Sequence, residues 1–265
     1  MASSAPTSPT AAVLLIGNEL LSGKIRDQNG HNLALMLRRR GIRLLEVCTV
    51  EDDHDAIGAA LLRLLARTPL VFTSGGVGPT HDDVTLAAVA RAIGRPLERH
   101  PAMEATLRAH FGARITPAAL KMADLPAGTE LAAPHGWPVM KVSLADDRRI
   151  YILPGIPELC RAKIEALEAL PGELPDAGGW ALERLHTDMD EADLAAPLDR
   201  VVADFPAVDI GSYPRWSRGP EGGLRCIVRV TFEATGAHRP LARAARDALA
   251  EALGPAAVLP DQPDP

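Results

Sequence analysis

The sequence predicts an α/β protein in two parts: a larger domain built on a mostly parallel sheet, then a small α+β domain. Three features carry this expectation. Short apolar runs alternate with amphipathic stretches at spacings of ~25–35 residues through the first part, which calls for parallel strands joined by helical crossovers. One of those runs, residues 70–73, opens into Ser74-Gly75-Gly76-Val77-Gly78-Pro79, a glycine-rich turn between a strand and a helix. Beyond residues 171–179 (PGELPDAGG), a linker by composition, the pattern changes to βαββα.

In chain order, residues 1–10 read as a disordered tail, 11–172 as the α/β domain and 180–260 as the small domain. Residues 12–16 are an apolar strand, buried on both faces. Residues 17–23 (GNELLSG) form a polar loop anchored by two leucines. A helix over 28–40 turns Leu33, Met36 and Leu37 inward, and Gly41 closes it. Its arginines, Arg38 to Arg40, read as a solvated last turn. Residues 42–50 are the second strand, with Glu51-Asp52-Asp53 at its end, and 55–67 the next helix. After the glycine turn, Thr80 is expected to N-cap a helix over 82–93, with Asp83 at capping-box spacing. Helices follow at 102–111 and 117–123, then turns at 125–128 and 134–138. A hairpin pairs 139–143 with 149–153, its tip at Ala145-Asp146-Asp147. Its second strand runs into Pro154-Gly155-Ile156-Pro157-Glu158 and a helix ending near 170. The small domain has strands at 181–187, 208–216 and 224–234, helices at 191–204 and 238–253, and a loop at 218–223.

Open parallel sheets bind ligands beyond the carboxyl ends of their strands. Three polar loops are therefore expected at one edge: 18–27, 52–53 and 74–83. Glycines let a backbone turn its N–H groups toward a phosphate, and a helix N-terminus adds a favourable dipole. Five carboxylates lie on the same loops: Glu19, Asp27, Asp52, Asp82 and Asp83. They would repel a phosphate unless a divalent cation stood between them. The competing account is an ordinary turn whose acids cap helices, with Asp27 and Asp53 the first candidates for that role. The loop is neither a P-loop nor a GxGxxG fingerprint, because no Gly-Lys-Ser/Thr follows and the glycine spacing differs. His81 reads as an exposed loop histidine before a proton donor. Tyr213 and Trp216 read as core or interface residues before ring-stacking ones.

Composition narrows the partners. Of 265 residues, 47% are hydrophobic and 3% aromatic, so the core must be aliphatic. A net charge of −6 argues against nucleic acid and anionic membrane surfaces. Cys48, Cys160 and Cys226 are widely spaced and expected to be free thiols. No signal peptide or long apolar span is visible, and a cytoplasmic protein is expected. A homo-oligomer, dimer or trimer, is the expected assembly.

Several stretches resemble the MoaB/Mog-like molybdopterin-binding domain family. They are Gly17-Asn18-Glu19-Leu20-Leu21-Ser22-Gly23, Asp27-Gln28-Asn29, Val50-Glu51-Asp52-Asp53, Gly75 to Thr85, Met122-Ala123 with Pro126 and Gly128, and Leu153-Pro154-Gly155-Ile156-Pro157-Glu158. The match is nearest to the competence/damage-inducible protein A branch. Trp137-Pro138-Val139, Tyr151 to Leu159 and Ile210-Gly211-Ser212-Tyr213-Pro214 are similar to the N-terminal part of eukaryotic FAD synthase. The resemblance implies a three-layer αβα domain followed by a small α+β domain. It also implies either metal-dependent pyrophosphatase chemistry on FAD or ADP-ribose, or molybdopterin binding and adenylylation. Asn18 stands where many members carry Asp, and no stretch resembles the adenylyltransferase domain of FAD synthase or the amidase domain of longer bacterial relatives.

The expected activity is hydrolysis of a phosphoanhydride in a small nucleotide substrate, with AMP as one product. Asp83, Asp52 and Asp82 are the expected catalytic residues. Gly17, Glu19, Ser74, Gly75, Gly76, Gly78, Thr80, Pro154 and Gly155 are expected to bind substrate. Asp83, Asp52 and Glu158 are expected to hold a divalent Mg, Mn or Co ion. No Cys/His pair or Ser-His-Asp order singles out a covalent nucleophile, which favours attack by water. A non-catalytic nucleotide- or pterin-binding protein is the third reading.

Overall fold

The computed structural model describes residues 9–132, 138–218 and 224–260. Residues 1–8 of the expected tail, most of the 134–138 turn with Trp137, and most of the 218–223 loop lie outside the described residues. The chain divides into two compact units, one of residues Pro9–Asp176 and one that begins at Ala177.

The first unit is α/β. Its elements run β1 (Thr10–Ile16), α1 (Asn18–Leu21), α2 (Asn29–Arg39), β2 (Arg43–Val50), α3 (His54–Leu65), β3 (Leu70–Ser74) and α4 (Thr85–Ala92). After these come β4 (Leu97–Arg99), α5 (Pro101–Phe111), α6 (Pro117–Lys121), β5 (Asp124–Pro126), β6 (Thr129–Ala132), β7 (Val139–Ser143), β8 (Arg149–Leu153) and α7 (Pro157–Ala169). The main sheet has the order β2-β1-β3-β8-β7-β6. The pairs β1/β2, β1/β3 and β3/β8 are parallel, and β7 joins antiparallel to β8 and β6 to β7. Residues Ala11 to Ile16 of β1 are all buried because helices cover both faces. On one face Leu14, Ile16 and Val71 pack against Ile57, Leu61, Val89 and Met103 from α3, α4 and α5. On the other, Val13, Leu15 and Phe72 pack against Leu33, Met36 and Leu37 of α2 and Ile164 and Leu167 of α7. Adjacent residues of one strand thus feed two separate cores, as the two-residue period requires.

Chain order and sheet order together create a topological switch. The chain steps from β1 outward to β2, then crosses back over β1 to β3. The connections after β1 and β3 therefore diverge to opposite faces and leave a crevice at the carboxyl ends. Register sets Ser74 opposite both Leu15 and Leu153, and Ile16 opposite Val50. Gly17, Glu51, Gly75 and Pro154 consequently leave the sheet along one edge.

Several local expectations need correction. Residues 82–84 are not helical, and α4 starts at Thr85 with no side-chain cap, because the Thr80 and Asp83 side chains bond within the loop instead. Of the expected 125–128 turn, residues 125 and 126 belong to β5 and only 127–128 turn into β6; both strands are too short to show a two-residue period in sequence. The arginines ending α2 are not simply solvated. Arg39 makes a two-point pair with Glu168 at 2.9 and 2.7 Å, and Arg40 donates to the carbonyls of Glu168, Leu174 and Pro175. They tie α2 to the end of α7. The hairpin tip is as expected, with Asp146 and Asp147 both at positive φ, the geometry tight hairpins favour.

The second unit holds β9 (Trp180–Thr187), α8 (Glu191–Asp204), β10 (Asp209–Arg218), β11 (Leu224–Thr235), α9 (Arg239–Leu253) and β12 (Val258–Leu259). Its antiparallel sheet has the order β10-β11-β9-β12. Val228, Val230 and Phe232 alternate inward on β11 and meet Leu194 and Val201 of α8 and Ala242, Ala245 and Leu249 of α9. The order is βαββα as expected, with the two-residue β12 added. Tyr213 and Trp216 are not core residues: they lie on the edge strand, 49% and 66% exposed.

Candidate functional site

A cavity of about 1030 Å³ opens at the switch point of the first unit. It is large beside the roughly 300–1,000 Å³ of ordinary small-molecule pockets. Its floor is the glycine loop, and its rim carries Glu19, Asp27, Asp52, Asp82 and Asp83. All five loop carboxylates singled out from sequence thus converge. Arg26 is the one Lys or Arg among the described lining residues.

The loop owes its path to two glycines. Gly75 sits at φ 108° and Gly76 at φ 64°. A Cβ on Gly75 would land on the main-chain oxygen of Ile16, and one on Gly76 on the Thr85 hydroxyl. The turn is held from below. Gly75 N–H donates to Leu153 O at 3.2 Å, Thr85 N–H to Gly76 O at 3.0 Å, and Thr85 Oγ1 to Gly75 O at 2.9 Å. Gly75 therefore has no N–H to offer a ligand. The N–H groups of Gly76, Val77 and Gly78 have no partner among the described residues. They are the loop's candidate phosphate cradle; Thr80, also expected to bind substrate, gives its N–H to Asp83 instead.

Ser74 is also structural. Its hydroxyl donates to Pro154 O at 3.0 Å and accepts from Asn29 Nδ2 at 2.9 Å. Asn29 Nδ2 donates again to Gly155 O at 2.8 Å. Asn29, 6% exposed at the start of α2, thereby locks the loops after β1, β3 and β8 together. Sequence reasoning placed Asn29 at a helix start and in the Asp27-Gln28-Asn29 motif, but gave it no locking role, since its partners are 45 and 126 residues away.

Thr80 organises the acidic side. Its Oγ1 lies 2.6 Å from both Asp82 Oδ1 and Asp83 Oδ2, and its N–H donates to Asp83 Oδ2 at 2.8 Å. The Thr80 hydroxyl holds the Asp82 carboxyl below the usual carboxylate range. One hydroxyl proton cannot satisfy two carboxylates, so negative charge remains uncompensated at this point. Asp83 also packs beside Gly78, where an added Cβ would sit 2.6 Å from Oδ2. Asp52 Oδ2 accepts from Asn18 N–H at 2.8 Å and fixes the start of α1. Asp53 and Asp27 act as caps: Asp53 accepts from Asp55 and Ala56 N–H at 2.9 Å, and Asp27 from Gly30 N–H at 3.0 Å.

Of the expected site residues, Gly17 and Glu158 do not line the cavity. Gly17 lies behind Glu19, whose carboxylate occupies the space a Cβ there would need. Glu158 is exposed in the first turn of α7, while its neighbours Pro157 and Leu159 line the cavity. Its assignment as a ligand is corrected on that ground. His81 is 98% exposed and also outside the lining. Among the described residues no three His, Cys, Asp or Glu side chains come close enough together to cage a metal. The donor set nonetheless fits a divalent cation of the Mg²⁺ type. Such ions use one or two carboxylates and complete their shell with water and substrate phosphate oxygens. The paired Asp82 and Asp83 beside free N–H groups offer that arrangement.

The family described as a probable molybdopterin binding domain matches residues 12–171, and the FAD synthase middle domain matches residues 180–262. The chain belongs to the MoaB/Mog-like molybdopterin-binding-domain family. A CinA-like protein of Syntrophus aciditrophicus is 36% identical over 84% of this chain and 54% of its own length. A probable FAD synthase of Caenorhabditis elegans is 31% identical over 79% of this chain and 44% of its own. The chain thus spans about half the length of these relatives. A protein of Aeropyrum pernix is 35% identical over 92% of this chain and 90% of its own. Among solved structures, the protein CinA of Thermoplasma acidophilum is 33% identical, with a TM-score of 0.57 over 61% of this chain and 96% of that one. The mostly parallel sheet with its helices has the MoaB/Mog-like fold, and a separate small antiparallel domain follows it in the chain. Among the described residues no helix is long and apolar enough to cross a membrane.

Proposed function

We propose that the protein is a divalent-metal-dependent nucleotide pyrophosphatase that splits the phosphoanhydride of FAD or an ADP-ribose-like dinucleotide. One observation carries the reading: unpaired N–H groups and uncompensated carboxylates face the same switch-point cavity. Free N–H groups alone suit any anion, and carboxylates alone suit any cation. A metal–diphosphate substrate uses both.

In the reaction, water attacks one phosphorus, the bridging P–O bond breaks, and two phosphate monoesters leave, AMP being one. The N–H groups of Gly76, Val77 and Gly78 orient the diphosphate and stabilise charge on its oxygens. Asp82 and Asp83 would hold the cation, and Asp52, which lines the same cavity, would accept the water's proton. When bound, the cation supplies Lewis acidity at the diphosphate and lowers the cost of the leaving group's charge. Thr80 fixes the Asp83 carboxylate through its N–H, and its hydroxyl is shared between Asp82 and Asp83. CinA-like and FAD synthase relatives support a nucleotide-related substrate.

The test is FAD and ADP-ribose hydrolysis with Mg²⁺, Mn²⁺ or Co²⁺, in the parent protein and in Asp83→Ala. Loss of several kcal/mol of transition-state stabilisation corresponds to a drop in kcat/KM of about 100-fold or more. Equal rates in parent and variant would remove Asp83 from the site. The family match supports a second reading, molybdopterin binding with adenylate transfer from ATP. ATP-dependent formation of an adenylylated pterin, without FAD or ADP-ribose turnover, selects it.

A further inference from the structure

The loop between α1 and α2 brings a positive charge to an acidic cavity. The backbone is anchored on both sides of Arg26. Gly23 turns the chain at φ 70°, and Ile25 N–H donates to Glu19 O at 3.2 Å. On the other side Asp27 accepts from Gly30 N–H at 3.0 Å. The Arg26 side chain itself is exposed. It is the one Lys or Arg among the described lining residues, and five carboxylates line the same cavity. An arginine among carboxylates ordinarily pairs with one. Among the described residues, however, the Arg26 side chain makes no hydrogen bond or ion pair. Four of the carboxylates have other partners: Asp27 has the Gly30 N–H, Asp52 the Asn18 N–H, and Asp82 and Asp83 the Thr80 hydroxyl. Arg26 also falls between Gly17 to Gly23 and Asp27 to Asn29, the stretches of this region that carry the family resemblance, so the resemblance gives it no role.

We infer that Arg26 is a diphosphate-binding residue of this cavity and holds the phosphate that leaves when the diphosphate is split. The inference rests on the pyrophosphatase reading and adds to it a residue that acts on the leaving group. As the water oxygen bonds to one phosphorus, the bridging P–O bond breaks and its electron pair stays with the departing phosphate. Negative charge thus grows on that phosphate inside a cavity rimmed by carboxylates. A divalent cation and a dinucleotide diphosphate carry equal and opposite charge, so together they leave the five carboxylates uncompensated. A guanidinium suits the remaining task, because its planar fork gives two parallel N–H bonds to phosphate oxygens. No bond of the Arg26 side chain has to break before it meets the ligand. Donors that are in place before charge develops are the ones that lower the barrier.

The test compares Arg26→Ala and Arg26→Lys with Lys24→Ala, all in the full chain. Lys24 is on the same loop, exposed and off the cavity lining, so its removal subtracts an equal charge without touching the site. Calorimetry of inorganic pyrophosphate with Mg²⁺ reads binding without turnover, and FAD and ADP-ribose hydrolysis reads kcat and KM. Arg26→Ala should weaken pyrophosphate about 10-fold or more, the scale of a charge-assisted hydrogen bond. It should lower kcat about 100-fold, as loss of a donor to developing charge does. Its denaturation midpoint should equal the parent's, because no bond within the fold is lost. Arg26→Lys should fall between the two, since an ammonium keeps the charge and loses the fork. Added guanidinium ion should restore part of the kcat of Arg26→Ala, a rescue that a merely structural residue would not show. Lys24→Ala should match the parent throughout. If Arg26→Ala binds pyrophosphate and turns over like Lys24→Ala, the inference is overturned, and hydrolysis by the parent still upholds the pyrophosphatase reading. A parent that does not bind pyrophosphate overturns it as well. Weakened pyrophosphate binding in Arg26→Ala, with neither substrate hydrolysed by the parent, would remove the pyrophosphatase reading and leave Arg26 as the diphosphate-binding residue.

Discussion

Replacing Gly75 with alanine separates the loop's structural requirement from its chemical one. The residue sits at φ 108°, and the new Cβ would meet the main-chain oxygen of Ile16. That neighbour cannot yield, because Ile16 is the buried end of an interior strand and pairs with Val50. Left-handed backbone costs a non-glycine residue about 1–2 kcal/mol, and overpacking a rigid site adds about 1–3 kcal/mol. A loss of about 3 kcal/mol is therefore expected, a large part of the roughly 5–15 kcal/mol that holds a domain folded. Gly78→Ala is the control. No positive φ is needed there, and the new Cβ would press on the Asp83 carboxylate, a side chain that can turn away, instead of on main chain. That variant should keep its stability within about 0.5 kcal/mol and lose activity as Asp83 shifts. Urea denaturation followed by circular dichroism measures both. With two units, two transitions are expected, and the change should fall in the one that reports residues 9–176. A Gly75→Ala protein as stable as the parent would refute the account of the loop.

Asn29→Ala should destabilise the first unit by about 2 kcal/mol, because the Gly155 carbonyl and the Ser74 hydroxyl lose a buried donor; a denaturation midpoint unchanged from the parent would contradict the locking role. Glu158→Ala should leave kcat and metal dependence within about twofold, since the side chain is exposed and off the cavity; a collapse of activity would restore it as a ligand. Thr80→Val removes the hydroxyl that lowers the Asp82 pKa. The sign follows from a depressed carboxyl: the benefit of its charge is complete above the ordinary carboxylate range and is lost as pH falls through the lowered value. In Thr80→Val that loss should begin at higher pH, seen as an upward move of the acid limb of metal binding and of the Asp82 carboxyl titration by NMR.

How far the site was legible depended on whether a feature is local or long-range. Apolar runs at crossover spacing sufficed for the chain order of β1, β2 and β3, but the switch point also needs their order in the sheet, β2-β1-β3, which no local signal carries. Asp52, Asp82 and Asp83 were legible because each lies on a loop directly after a strand. The N-terminus of α4 was misread because Thr80 and Asp83 have capping-box spacing, yet their hydrogen bonds close a turn within the loop. Local chemistry alone cannot tell these outcomes apart. Glu158 was misassigned for a similar reason: the strand–loop–helix pattern after β8 repeats that after β3, but the direction of one side chain on a helix is not written in it. Asn29 was invisible as a lock because its partners, Ser74 and Gly155, are 45 and 126 residues away.

The division of labour between Gly75 and Gly76 to Gly78 bears on how the loop selects its ligand. Gly75 spends its N–H on Leu153, and Ser74 spends its hydroxyl on Pro154, so the β3 and β8 loops are bonded before any ligand arrives. Asn29 extends the bonding to α2. The cradle is therefore preorganised, and its N–H groups need no rearrangement to meet an anion. Carboxylates in the same loop make a bare anion unwelcome. With Asp82 and Asp83 on one hydroxyl and Arg26 the one guanidinium of the lining, phosphate affinity should depend steeply on the cation. Asp82→Asn with Asp83→Asn would then relax that dependence: inorganic pyrophosphate should bind without Mg²⁺ better than it binds the parent, while catalysis is lost. Calorimetry reads the first effect and product formation the second. If removing both charges weakened metal-free pyrophosphate binding, the carboxylates would be ordering the loop, and repulsion of the bare anion would not be their role.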